Sequence, residues 1–165
     1  MASTNMLLII QSILIGTLTT LFMDGIAWLR EKIFQIKPLN YAFVGRWVLS
    51  WKDKKYFHEN IVTSPTKKHE ALWGWCIHYL IGIFWVFLYL VLNNLYSFDD
   101  IFLSILIFSL STTLVPFLIM QPALGFGLFA SKTPSPLVSI KNSLIIHTFF
   151  GFGMYIFYKL LIVYF

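Results

Sequence analysis

Four continuous apolar runs constrain this chain more than any other feature. A helix that crosses a bilayer needs about 20 mostly apolar residues. Segments 6–29, 71–92, 101–120 and 143–165 each meet that length. The runs do not alternate in polarity, as the strands of a membrane barrel must. Lipid offers the backbone no hydrogen-bonding partner, so each run must be helical. The expected fold is therefore all-α: a polytopic four-transmembrane-helix bundle forming one membrane domain over residues 1–165.

Composition excludes the main alternatives. The chain is 58% hydrophobic and 12% charged, with a mean hydropathy of +0.77. Soluble domains carry about twice that share of charge. An aromatic content of 19% argues against disorder, and the single cysteine, Cys76, against a disulfide scaffold. The first run has no basic segment before it and no small-residue cleavage site after it. It is therefore expected to stay in the protein rather than act as a signal peptide.

Basic residues set the expected orientation. Nine of the twelve Lys and Arg lie between Arg30 and Lys68, and none lies between Asn93 and Asp100. The positive-inside rule then places loops 30–70 and 121–142 in the cytoplasm and both termini outside. Glu31, Asp53, Glu59 and Glu70 interrupt the basic residues, so the net charge of +5 reads as a topology signal rather than a nucleic-acid surface. The stretch Pro38–Trp47 is apolar enough to form a short interfacial helix or re-entrant piece. The glycine-rich segment 121–130 is expected to pack over the end of the bundle.

A weak internal repeat suggests a parallel two-helix duplication. His78 is followed by Gly82 and Tyr89, and His147 by Gly151 and Tyr158, at the same offsets. Thr19-Thr20-Leu21 in the first run matches Thr112-Thr113-Leu114 in the third.

The candidate functional residues form one expected polar layer. By helical rise, Asp24 and His147 lie about 9 Å inside the bilayer boundary and His78 about 12 Å. Ionisable groups at such depth are costly and are functional candidates by default. Asp24, His78 and His147 are the primary candidates, with Gln121, Arg46, Lys132 and Asn142 beside them. Asp24 supplies charge, while the imidazoles supply neutral ligand nitrogens or proton acceptors. The expected function is binding, with transport as an extension, of a small polar ligand or cation. Arg46 and Lys132, if they swing over the layer, favour an anion instead.

Other readings stay open. Asp24, His78 and His147 are an acceptable set for a divalent metal. His78 and His147 alone suit bis-histidine haem. An accessory or assembly subunit would use the same layer to hold helices together. No catalytic motif is present, which argues against an enzyme. His58, Glu59, His69 and Glu70 read as solvated loop residues. Beyond the bilayer itself, a homo-oligomer or a partner membrane subunit is expected, because four spans are few for a transporter.

Asp24, the stretch Tyr41–Trp47, Gly74-Trp75, His78-Tyr79 and Gly82 together resemble a bacterial membrane family catalogued as domain of unknown function 2938. The resemblance continues through Pro116-Phe117, Met120–Gly125, Phe129–Pro136, His147 and Phe150–Gly153, with the segments 120–125 and 129–136 the most specific. It implies a four-helix bacterial inner-membrane protein and adds no mechanism. The phenylalanine- and lysine-rich composition departs from the family's alanine-rich style only at lipid-facing positions.

Overall fold

The structure is a computed structural model that describes residues 2–162, with side chains from residue 6 to residue 161. The α-helices among the described residues are, in order, α1 (Ala2–Phe34), α2 (Ala42–Ser50), α3 (Glu70–Tyr96), α4 (Ile101–Ser111), α5 (Gln121–Ala123) and α6 (Pro136–Ile162). A π-helical turn covers Pro116–Met120, and short 3-10 turns cover Trp51–Asp53 and Leu128–Ala130. Four helical stretches are long and apolar enough to cross a membrane: Met6–Phe34, Glu70–Tyr96, Ile101–Ala123 and Pro136–Leu161.

The expected spans are present, with boundaries set by local chemistry. Helix α3 starts at Glu70, whose carboxylate accepts the Lys67 N–H at 2.8 Å. That backward reach over three residues satisfies a donor at the helix entry, as in a capping box. Asp100 caps α4 by accepting the Leu103 N–H at 2.9 Å. The third span changes pitch at Pro116, which has no N–H to continue the ladder. The backbone there switches to the wider π spacing, and Gln121 N–H reaches Pro116 O. The fourth span begins at Pro136, seven residues before the expected 143. Proline's fixed φ favours the first helical turn. Lys141 and Asn142 therefore lie on α6 rather than in a loop. Within the 30–70 loop, where the sequence suggests a short interfacial helix or a re-entrant piece over Pro38–Trp47, the chain is helical from Ala42 to Ser50.

The chain forms two compact units. The first takes the residues up to Pro38, Tyr79–Thr112 and the residues from Ile145 onward. Its core is Ile15, Met23, Val86, Tyr89, Leu90, Ile105, Phe150 and Met154. Leu21, Phe84, Ile107 and Leu160 are more than half exposed, which suits a face turned to lipid rather than to water. Small residues set the helix crossings. A Cβ on Gly16 would press into the Ile83 backbone, and one on Gly82 would strike Thr20 Oγ1. A Cβ on Gly151 would meet Ser109 Oγ at 3.0 Å. Gly16 and Ser109, which hold matching positions relative to Thr19-Thr20-Leu21 and Thr112-Thr113-Leu114, each stand near a glycine of another span, Gly82 on α3 and Gly151 on α6. The equivalent tyrosines Tyr89 and Tyr158 meet edge to face, 6.3 Å apart.

The second unit comprises Leu39–His78 and Thr113–Leu144. Here α2 lies so close to α3 that a Cβ on Gly45 would overlap Glu70 O, and one on Gly74 would overlap Tyr41 O. The irregular segments pair through backbone bonds, His58 N–H to Ala123 O at 2.8 Å and Ile61 N–H to Leu124 O at 2.9 Å. Gly125 takes φ +87° where its Cα passes the Glu59 carbonyl, a conformation and a clearance that favour glycine.

Candidate functional site

In the first unit Asp24 is half-buried on α1, and its carboxylate hydrogen-bonds with the Tyr79 hydroxyl of α3. His147 on α6 places Nδ1 2.8 Å from Thr112 Oγ1. Thr112 Oγ1 also lies 2.6 Å from Ser109 O. A hydroxyl has one proton and a carbonyl only accepts, so the Thr112 proton goes to Ser109 O. Thr112 then accepts from His147, which carries its proton on Nδ1. The neutral ring keeps its acceptor lone pair on Nε2. An oriented imidazole of this kind is what a proton- or ligand-binding histidine requires.

In the second unit His78 is stacked on Tyr41, with ring centres 3.9 Å apart and planes 23° from parallel. Trp75 meets the same imidazole edge-on at 5.8 Å. Gln121 is half-buried, and its Oε1 has no hydrogen-bond partner among the described residues. Lys132 is exposed, with its backbone N–H bonded to Phe126 O at 2.9 Å. Asn142 is half-buried on α6.

Arg46 is engaged within the second unit. Its Nε donates to Glu70 Oε2 at 2.8 Å and its Nη2 to Glu70 Oε1 at 2.7 Å. Nη1 donates to the carbonyls of Ile61 at 2.7 Å and Ser64 at 2.9 Å. Both side chains are well buried, 6% and 15% exposed. The bonds to Glu70 hold the guanidinium above its ordinary pKa against the opposing effect of burial. Arg46 thus fastens the 61–64 turn to the start of α3.

Two residues read from sequence as solvated are structural centres instead. Glu70 carries this ion pair, and His58 is buried. Sequence offered one usable signal, an arginine in an otherwise apolar stretch, which demands a buried carboxylate. Exposed Asp53 pairs with Lys67, which holds its carboxyl below the usual range. Among the described residues no group of three or more His, Cys, Asp or Glu could hold a metal ion.

The helices and their lipid-facing surface define a polytopic membrane protein. The family described as "Protein of unknown function (DUF2938)" matches residues 13–161, and the chain belongs to that family. No curated protein and no solved structure matches it.

Proposed function

We propose that this membrane protein binds a small polar ligand or cation within the bilayer, with Asp24 supplying charge and His147 a hydrogen-bond and proton acceptor. The observation that carries the reading is an acid in α1 whose hydrogen bond comes from a tyrosine. A carboxylate deep in a span costs about 2.5–3.5 kcal/mol at the helix centre. An interhelical hydrogen bond returns only about 0.6 kcal/mol. A neutral asparagine would hold the same helices at lower cost, so the charge itself has a use. The distribution of lysine and arginine supports cytoplasmic placement of loops 30–70 and 121–142 in a bacterial inner membrane. Transport would draw on a second copy or a partner subunit.

The test is thermal stability of the purified protein in detergent against ammonium, methylammonium, potassium and magnesium salts. A ligand at about 100 times its Kd stabilises by about 2.7 kcal/mol. At least one probe should raise the Tm of the native chain saturably, and Asp24→Asn should abolish that response. No response from the native chain, or an equal response in Asp24→Asn, overturns the proposal. A loss of Tm in Asp24→Asn without any probe response supports the assembly-subunit reading, which the Asp24–Tyr79 and Thr112–His147 bonds favour.

A further inference from the structure

His58 is only 5% exposed. Its Nδ1 lies 2.9 Å from Ser64 Oγ, and Ser64 Oγ lies 2.8 Å from Asn60 O. The carbonyl takes the serine proton, so His58 must donate from Nδ1. The acceptor lone pair of the neutral ring therefore sits on Nε2. That nitrogen is buried and has no hydrogen-bond partner among the described residues. The backbone on either side of this ring makes two bonds to the other segment, His58 N–H to Ala123 O and Ile61 N–H to Leu124 O.

We propose that His58 is a pH-sensitive latch: its neutral ring holds segment 58–61 closed on Ala123 and Leu124, and protonation releases it. Protonation would place a new N–H on Nε2, where no acceptor waits, and would bury a charge. The charged groups around the ring make this worse. Arg46 of α2, Lys55 and Lys67 all act on it with like charge. The acids beside them are engaged: Glu70 holds Arg46 and the Lys67 N–H, and Asp53 holds the Lys67 ammonium. The Glu59 side chain is exposed, and segment 121–131 contributes no titratable group. Burial, first, and then the three cations hold the ring below its ordinary value of 6.5. The sign follows from linkage. The released form takes a proton before the closed form does, so closure is fully stable above about pH 6.5 and weakens as pH falls below it.

Hydrogen exchange of the full chain in detergent, corrected for intrinsic pH dependence, tests the latch. Between about pH 7.5 and pH 5, protection of 54–66 and 121–131 should fall, by up to about tenfold per pH unit within the titration window. His58→Asn keeps a donor toward Ser64 and cannot titrate, so its protection should stay flat. His69→Asn should behave as the native chain does. Flat native protection, or the same fall in His58→Asn, overturns the proposal. Should His58→Asn fail to fold, ring-carbon NMR of histidine-labelled native protein decides: a His58 midpoint below 6.5 that coincides with loop opening supports the latch, and any other result removes it.

Discussion

Arg46 and Glu70 form a two-point ion pair, 2.8 Å and 2.7 Å, between α2 and the first residue of α3. The fork of the guanidinium matches the carboxylate, and a third nitrogen binds two carbonyls of the 61–64 turn. Removing one partner leaves the other charge buried, which costs about 3–5 kcal/mol. Arg46→Ala and Glu70→Ala should each lower the melting temperature sharply in detergent. Arg46→Lys should recover only part of the loss, because an ammonium cannot hold both carboxylate oxygens and both carbonyls. The double variant should cost less than the sum of the singles. Additive losses would show that the pair is not coupled.

The second ion pair should behave in the opposite way. Asp53 and Lys67 meet at the surface, 60% and 35% exposed. Water and salt screen such a pair, and two side chains lose freedom to make it. Asp53→Ala should leave the melting temperature unchanged within error at physiological salt. A clear destabilisation would mean that the 51–53 turn depends on this contact.

Helices were more legible in the sequence than interactions between them. Four apolar runs dictate four spans, because only a helix satisfies a backbone in lipid. The start of α6 at Pro136, seven residues before 143, was missed, although a proline suits a first helical turn. What sequence hid was pairing at a distance. Glu70 and His58 look solvated because a loop is read as wet, and only folding brings Arg46 to Glu70 across 24 positions. Thr112 as the acceptor for His147, 35 positions away, was hidden for the same reason. Apolar helices carry little periodic contrast, so neither the direction of each polar side chain nor its partner can be read from spacing alone.

The helix crossings predict three different outcomes for glycine. Gly16 and Gly82 have backbone or side-chain atoms of the facing helix where a Cβ would stand, and Gly25 has nothing within 4 Å. Gly16→Ala and Gly82→Ala should destabilise by about 1–3 kcal/mol through forced separation of α1 and α3. Gly151→Ala meets a serine that can shift slightly, so its cost should be smaller. Gly25→Ala should be neutral or stabilising by up to about 1 kcal/mol, because alanine is the better helix former. Thermal melts of the four variants in one detergent rank them, and a Gly25→Ala loss equal to that of Gly82→Ala would refute the packing account.

Thr112 determines which nitrogen of His147 carries the proton. Its own proton is committed to Ser109 O, so it can only accept from the ring. Nitrogen NMR of histidine-labelled protein at neutral pH should show His147 protonated on Nδ1. Thr112→Ser keeps the hydroxyl and should keep that tautomer. Thr112→Val removes the acceptor at nearly constant volume, which should cost about 1–3 kcal/mol and release the ring to either tautomer. If His147 contributes an acceptor to a bound ligand, any probe response that depends on Asp24 should weaken in Thr112→Val and survive in Thr112→Ser. A native His147 protonated on Nε2 would reverse the assignment and leave the ring presenting a donor.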